Sequence, residues 1–274
     1  MNSLSALFLE KPVFAFTADQ DWAPEWAAEH FLEELRRFRI PLHIFRTNPS
    51  ASFDRAVKMG EVEQGWHPNF LPGSTHGSSI SEVIRYCDRN FPGATTVRSH
   101  CFAEDTFSWR ALRKAGIIAD SQLGTLFQGH LLPVVHWTGL LRFPQYFEDD
   151  IFFDLQDNEL KLETILPTLF SPGLKILNFH PTFVGCNTPS RAWHEQSKGR
   201  IFGPDSSACG LQFQGRGTNV VFRELVDRIL TRGHEFHRFQ SLVETAMECF
   251  AEAHDILSPA LTEALLERVP KQTV

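Results

Sequence analysis

Short apolar runs alternate along the chain with longer stretches in which apolar residues recur at helical spacing. A short apolar run bounded by polar or turn-forming residues is typical of a buried strand. Seven runs predict strands, at Val13–Phe16, Leu42–Phe45, Glu61–Trp66, Thr95–His100, Ile117–Ala119, Leu132–Val135 and Leu174–Phe179. Strands that alternate with helices favour parallel βαβ units. We therefore expect an α/β fold, a distorted barrel of about seven parallel strands.

Helices are predicted where apolar residues recur every three or four positions. They cover Pro24–Phe38, Ile80–Cys87 with Ser78 or Ser79 as N-cap, Phe107–Ala115, Asn219–Leu230 and Leu242–Val269. Gly116 is expected to end the third of these helices. The Gly/Ser-rich stretch Gly199–Gly217 is the predicted long loop. Because no repeat or linker interrupts the pattern, we expect one domain over residues 1–274, with C-terminal helices from about residue 218.

Composition narrows the class of protein. The 274 residues, 42% of them hydrophobic, fit one α/β barrel with a sizeable core. A net charge of −7 with scattered Lys and Arg argues against a nucleic-acid partner. No apolar run approaches the roughly 20 residues of a membrane-spanning helix, and Met1–Glu10 lacks the pattern of a signal peptide. Five cysteines without a Cys-x-x-Cys pair indicate reduced thiols and a cytoplasmic protein.

Polar residues with catalytic or metal-binding chemistry follow the apolar runs directly. They are Asp19, Asp21, His67, Arg98, His100 and His180. In barrels of parallel strands, catalytic side chains converge from the carboxyl ends of several strands. Close carboxylates such as Asp19 and Asp21 repel each other unless a cation joins them. One of the two would then bind a divalent metal and leave the other as a base; the alternative is that Asp21 merely caps the helix near Pro24.

Five short segments carry these residues in order along the chain. They are Thr17–Asp21, Gly65–Pro68, Val97–His100, Phe143–Pro144 with Glu148–Asp150, and Leu177–Pro181. Together they resemble the five motifs of carbohydrate esterase family 4, the NodB-homology polysaccharide deacetylases. His-Pro-Asn, Arg-Ser-His and Asn-Phe-His-Pro most resemble a divergent branch associated with O-antigen and surface-polysaccharide biosynthesis. The barrel predicted above is the fold that this resemblance implies.

The resemblance also implies a role for each matched residue. Asp19 would be the general base, Arg98 the residue that orients it, and His180 the general acid for the leaving amine. Asp21 and His67 would bind a divalent metal, for which two imidazoles and a carboxylate favour Zn²⁺. The implied reaction is the removal of an acetyl group from an N-acetylated sugar or a nucleotide- or lipid-linked saccharide.

The sequence departs from the family at the second metal-binding histidine. The family places it four residues after the first, where this chain has Leu71. Two replacements remain open: His76 on the Gly73–Gly77 loop, and His100 at the end of a predicted strand. We favour His100, because a strand holds a ligand more rigidly than a Gly/Ser loop does. If neither serves, a non-catalytic carbohydrate-binding protein is an alternative function.

For several other residues the sequence allows either a ligand-binding role or a purely structural one. Trp22, Trp66, Trp137 and Tyr146 would line a sugar-binding cleft or pack in the core. Glu148–Asp150 would contact substrate or form a solvated loop. Arg191, His194, Lys198 and Gly215–Thr218 would bind a phosphate or form ordinary surface. A metal-free glycoside hydrolase that pairs Asp19 with Glu148 or Asp149 is a further alternative.

Overall fold

The computed structural model describes residues 8–155, 161–203, 206 and 210–249. Within these residues, nine strands pair into one sheet. They are β1 (Pro12–Asp19), β2 (Leu42–Arg46), β3 (Val62–Trp66), β4 (Thr96–Val97), β5 (Ala119–Gly124), β6 (Val134–Val135), β7 (Leu141–Glu148), β8 (Gly173–Phe179) and β9 (Phe236–His237). Seven of them form a closed parallel barrel in the order β1-β2-β3-β4-β5-β7-β8, with β8 paired to β1, and the short β9 also pairs in parallel with β1. The predicted seven-stranded parallel barrel is confirmed.

Helices follow most of the strands, and most of them pack outside the barrel. They are α1 (Glu25–Phe38), α2 (Ala51–Lys58), α3 (Ile80–Asn90), α4 (Thr106–Lys114), α5 (Asp149–Leu155), α6 (Leu166–Leu169), α7 (Pro181–Cys186), α8 (Arg191–Ile201), α9 (Thr218–Thr231) and α10 (Phe239–Cys249). Among the helices of the described ranges, none has both the length and the apolar character needed to cross a membrane.

Strand β1 shows how the sequence divides barrel interior from exterior. Successive side chains of a strand point to opposite faces. Phe16 points outward and packs against Phe31 of α1 and Phe222 of α9, with ring centroids 6.1 and 5.5 Å away. Thr17 points inward, where its hydroxyl accepts a hydrogen bond from Arg98 across the barrel. In β1 the polar side chain is thereby directed into the barrel, while Phe16 holds two helices on its surface.

Several strand predictions were wrong in detail; β5, for example, spans Ala119–Gly124 and not Ile117–Ala119. The barrel strand β7 was missed, and Leu132–Val135 contributes only β6, which pairs with β7 in the antiparallel direction. Pro144 lies inside β7, and a proline normally argues against a central strand because it has no N–H to donate. In the structure Pro144 lies between two shifts in strand register. One is in the pairing with β5, between Asp120 and Leu123, and the other is in the pairing with β8, between Gln145 and Phe147.

The predicted helices begin and end close to their expected positions. Ser79 caps α3 and forms a capping box with Glu82, and Gly116 follows α4 with a positive φ of 95°. Five short helices, α2 and α5 to α8, lay outside the predictions because their apolar patterns are brief. The loop predicted at Gly199–Gly217 begins later than expected, because α8 continues to Ile201. The predicted helix beyond Cys249 lies outside the described residues.

Candidate active site

Site residues lie at the carboxyl ends of four barrel strands. Asp19 ends β1, His67 follows β3, Arg98 follows β4, and His180 follows β8. All four are buried, with Asp19 and His180 exposed by only 3% and 7%. His100 lies in a short 3₁₀ turn after β4, since that strand ends at Val97 and not at His100 as predicted. The six residues selected from the sequence therefore surround one mouth of the barrel.

Asp19 is held by hydrogen bonds to both of its oxygens. Arg98 Nη1 donates to Oδ1 at 3.0 Å, and Asn178 Nδ2 donates to Oδ2 at 3.0 Å. Arg98 is itself fixed, since Nε donates to the Ser121 carbonyl at 2.6 Å and the guanidinium lies 4.4 Å from the Phe45 ring centroid. A buried, charge-paired carboxylate in a fixed orientation is suited to accept a proton.

Asp21 joins two histidines at the edge of the same mouth. Its Oδ1 lies 3.0 Å from His67 Nε2 and 2.9 Å from His100 Nδ1. Burial raises the pKa of Asp21, but hydrogen bonds to His100 and His67 outweigh it and leave the pKa well below its ordinary value. Burial lowers the pKa of His100, but the hydrogen bond and charge of Asp21, together with the charge of Asp19, raise it above its ordinary value. The three side chains thus converge on one point.

The turn that carries Asp21 is held in an unfavourable backbone conformation. Asp21 and Trp22 have positive φ values of 43° and 54°, in the left-handed region that costs a non-glycine residue about 1–2 kcal/mol. Trp22 N donates to Thr47 Oγ1 at 3.1 Å, which helps to hold the turn. Pro24 is the N-cap of α1 and receives no side-chain bond. The turn therefore aims Asp21 at the histidines, and the alternative of a helix cap is not what the structure shows.

The donor set of Asp21, His67 and His100 fits a divalent cation. One ligand atom from each of the three lies within 4.8 Å of the others. His67 Nδ1 is buried without a hydrogen-bond partner and lies 3.6 Å from Asp19 Oδ1. In metal sites, a histidine ligand commonly directs its second ring nitrogen to a carboxylate in this way. Two imidazoles and one carboxylate are also a usual ligand set for Zn²⁺.

Two other groups of carboxylates and histidine fit a cation less well. They are Asp19–Glu148–His180 and Asp149–Asp150–His180. In the first group, Asp19 is paired with the positive charge of Arg98. In the second, both oxygens of Asp149 accept hydrogen bonds from His180, at Nδ1 and at the backbone N–H. A cation in the first group would lie beside a positive guanidinium, and in the second group the oxygens of Asp149 already accept hydrogen bonds. The group that contains Asp21 is therefore the better cation site.

His180 is oriented by Asp149, which follows β7. Nδ1 lies 2.6 Å from Asp149 Oδ1, so Nε2 is left to face the mouth, 3.6 Å from Asp21 Oδ2. Burial lowers the pKa of His180, but the charge and hydrogen bond of Asp149 hold it well above its ordinary value. A protonated imidazole with its far nitrogen directed at the site is suited to act as an acid.

The structure separates the two replacements considered for the missing histidine. His76 is buried and stacks on Tyr86 with ring centroids 4.2 Å apart. Its Nδ1 accepts a hydrogen bond from Asn69 N at 3.1 Å, and burial lowers its pKa to about 4. Leu71 is 38% exposed. Of the two candidates, His100 alone shares the cluster with Asp21 and His67 among the described residues.

Several neighbours of the site were not selected as site residues from the sequence. They are Thr17, Ser121, Gln145, Asn178 and, as the partner of His180, Asp149. Alternation along β8 gave a signal for Asn178, which lies two residues before His180 and on the same face. No comparable signal exists for Ser121, because its partner Arg98 is 23 residues away.

Of the aromatic residues considered for a sugar-binding cleft, two lie in the core and one lies at the mouth of the barrel. Trp66 and Tyr146 are buried in the core, where each donates to a backbone carbonyl, of Phe91 and of Ile165. Trp22 does lie at the mouth, 5.1 Å from the His100 ring. Large apolar surfaces are normally buried, so the two core aromatics satisfy packing and do not line a sugar cleft.

Neither proposed anion site is free to take a phosphate. Arg191 pairs with Asp154 at 2.8 Å, and His194 is buried. At the start of α9, Asn187 Oδ1 accepts from the backbone N–H groups of Asn219 and Val220. An occupied helix N-terminus has no spare donors for an anion, so these segments have structural roles.

The carboxylate pairs of a glycoside hydrolase are disfavoured. Asp149 is committed to His180, and Asp19 to Arg98 and Asn178. Burial, and then the charge of Asp150, raise the pKa of Glu148 well above its ordinary value. A glycosidase pair requires a carboxylate free to attack or to activate water. Of the three carboxyl groups of Asp19, Glu148 and Asp149, that of Glu148 has a single hydrogen bond among the described residues, from Gln145.

One solved structure shares the fold, and others show weaker similarity. A protein of Bordetella bronchiseptica, described as a polysaccharide deacetylase involved in O-antigen biosynthesis, is 24% identical with a TM-score of 0.70 over 78% of this chain and 90% of that one. The peptidoglycan deacetylase PdaC of Bacillus subtilis is 13% identical, with a TM-score of 0.46 over 89% and 96%. A family 4 carbohydrate esterase of Streptomyces lividans, in complex with acetate, is 12% identical, with a TM-score of 0.42 over 83% and 92%.

The family assignment comes from the sequence itself. No curated protein matches the chain. Residues 16–198, about two thirds of the chain, match the family described as WbmS-like polysaccharide deacetylase. That range includes all six selected site residues and confirms the resemblance drawn from the five motifs. The chain belongs to the WbmS-like family of polysaccharide deacetylases.

Proposed function

We propose that this protein is a metal-dependent hydrolase that removes an acetyl group from an N-acetylated sugar or sugar conjugate. Membership of a polysaccharide deacetylase family supports the reaction class. One observation carries the proposal: an Asp–His–His cluster lies beside a fixed carboxylate, Asp19, and a charge-paired imidazole, His180. Amide hydrolysis needs these three functions together, namely an activated water, a base and an acid.

Asp21, His67 and His100 would hold the cation, which we infer to be Zn²⁺ from the ligand set. A divalent ion supplies Lewis acidity toward the acetamide carbonyl and makes a nearby water more acidic. The turn with positive φ at Asp21 fixes the carboxylate in place before any ion binds. His67 Nδ1 faces Asp19, so the ligand and the base orient each other.

Asp19 would accept the proton of the attacking water. Arg98 and Asn178 hold its two oxygens, so the base does not rotate away from the substrate. His180 would donate a proton from Nε2 to the departing nitrogen, while Asp149 keeps Nδ1 protonated and the ring oriented. The two proton transfers thus act on opposite ends of the scissile C–N bond.

The substrate and the cellular setting belong to the same proposal. The Bordetella structure is described as involved in O-antigen biosynthesis. By extension, we infer a role for this chain in surface-polysaccharide or lipopolysaccharide biosynthesis, on a nucleotide- or lipid-linked saccharide. The odd number of cysteines, without a Cys-x-x-Cys pair, supports a cytoplasmic location.

Acetate release from N-acetylated sugar conjugates tests the function directly. The Zn²⁺-loaded protein should release acetate, and a chelator should abolish the reaction. Asp19→Asn should lower kcat about 10²- to 10⁴-fold, since it removes the base. Asp154→Asn, at an exposed carboxylate paired with Arg191, is the matched control and should remain active. Activity that survives both chelation and Asp19→Asn excludes the proposal.

A further inference from the structure

Glu148 lies close to both residues proposed to transfer protons. One oxygen of Glu148, one of Asp19 and one ring nitrogen of His180 lie within 4.8 Å of each other. Glu148 is 4% exposed, comparable to Asp19 at 3% and His180 at 7%. If Asp19 and His180 act on the two ends of an acetamide C–N bond, Glu148 reaches the sugar close to the nitrogen-bearing carbon.

The contacts of Glu148 leave it available for a ligand. Among the described residues its carboxyl group receives one hydrogen bond, from Gln145 Nε2 at 3.0 Å. Gln145 is fully buried, and its Oε1 has no hydrogen-bond partner. A buried polar atom without a partner costs about 1–3 kcal/mol, so such atoms usually await a ligand or water. Asp19 and Asp149, by contrast, have both oxygens engaged.

We propose that Glu148, supported by Gln145, binds the polar substituent on the sugar carbon next to the acetamido-bearing carbon. This rests on the proposed deacetylase function and adds the substrate feature that the site selects. A hydroxyl group both donates and accepts hydrogen bonds, which suits a carboxyl group beside an amide oxygen. A site built to bond a hydroxyl rejects an analogue that lacks it, because its buried polar groups are then left unpaired.

Binding of two glycosides tests the assignment. Titration calorimetry would compare the methyl glycoside of N-acetylglucosamine with its analogue that lacks the hydroxyl on the adjacent carbon. We expect the wild type to prefer the hydroxylated glycoside about tenfold. Glu148→Leu should reduce this preference to within about twofold, because it removes the partner. Glu148→Gln retains a donor and an acceptor and should keep most of it.

The controls separate a lost contact from a damaged fold. Both variants should still bind Zn²⁺ and unfold in a single cooperative transition. If Glu148→Leu fails to fold, Glu148→Ala takes its place and should lose the preference for the same reason. A wild type that binds neither glycoside or binds both equally, or a folded Glu148→Leu that keeps the full preference, overturns the assignment. Selective binding without acetate release refutes the deacetylase function and leaves the subsite in place.

Discussion

His180 illustrates how one residue acquires its chemistry from its neighbours. As an isolated histidine it would be about half protonated near pH 6.5. In the structure burial lowers its pKa, but the charge and hydrogen bond of Asp149, together with the charges of Asp150 and Asp21, raise it well above that value. The same contact fixes the tautomer, because the hydrogen on Nδ1 is committed to the carboxylate. The sequence placed His180 at the end of a predicted strand, but it did not indicate that its partner is Asp149, which follows β7.

Asp149→Asn should therefore lower kcat about 10²- to 10⁴-fold, with little change in KM, since the acid is no longer charge-paired. Removing the carboxylate lowers the pKa of His180, so the alkaline limb of the kcat profile should move to lower pH. Rate profiles from pH 5 to 10 and metal content measure both effects. Asp154→Asn again serves as control. An alkaline limb that stays in place contradicts the role given to Asp149.

The choice between His100 and His76 is also a residue-scale prediction. His100→Ala should weaken Zn²⁺ binding by more than about 100-fold, because it removes a direct ligand. His76→Ala should retain one equivalent of Zn²⁺ with affinity within about tenfold of wild type, since His76 bonds to the backbone of Asn69. Calorimetric titration with Zn²⁺ compares the two. Equal losses in both variants would refute His100 as the third ligand.

At the scale of the element, β3 shows why a strand of a closed barrel can require a glycine. A Cβ on Gly65 would lie 2.5 Å from Thr96 Oγ1 and 2.7 Å from Phe45 Cδ1. Phe45 in turn stacks on Arg98, which holds Asp19. The close approach of β2, β3 and β4 therefore supports the base through packing.

Gly65→Ala should lower the free energy of unfolding by about 1–3 kcal/mol through overpacking. Gly124→Ala, at the end of β5, is the matched control because a Cβ there meets no atom within 4 Å. Urea denaturation of both variants measures the difference. Equal stabilities of the two variants would contradict the packing argument.

At the scale of the whole molecule, barrel closure depends on elements far apart in sequence. β1 pairs with both β2 and β8, and Phe239 of α10 packs inside the barrel against His43 and Phe143, with ring centroids 4.9 and 5.1 Å away. Glu63 accepts a hydrogen bond from Gln240 N at the start of the same helix. The first and last described elements therefore complete one core.

Buried histidines give the molecule a predictable acid sensitivity. Burial, and then the charge of Lys198, lower the pKa of His194 to about 4, against about 6.5 in an unfolded chain. Because the folded pKa is the lower one, its contribution is present above pH 6.5 and is lost as the pH falls toward 4. From pH 7 to pH 5 the unfolding free energy should fall by about 2 kcal/mol from this group.

The variant His194→Gln should reduce that pH-dependent loss by about 2 kcal/mol relative to wild type. Urea denaturation at pH 7 and pH 5, with chelator present so that metal binding does not contribute, gives the two differences. An identical loss of stability in the variant and the wild type would show that His194 does not titrate as its burial requires.

The sequence by itself determined the alternation of strands and helices, the family, and the polar residues that end the strands. These are local properties, set by periodicity and by short motifs. Only the tertiary structure decided that His100 joins Asp21 and His67, that Asp149 holds His180, and that β7 contains a proline. The physical reason is closure of the barrel, which brings together residues such as Asp19 and Asn178, 159 positions apart, whose contact no local pattern encodes.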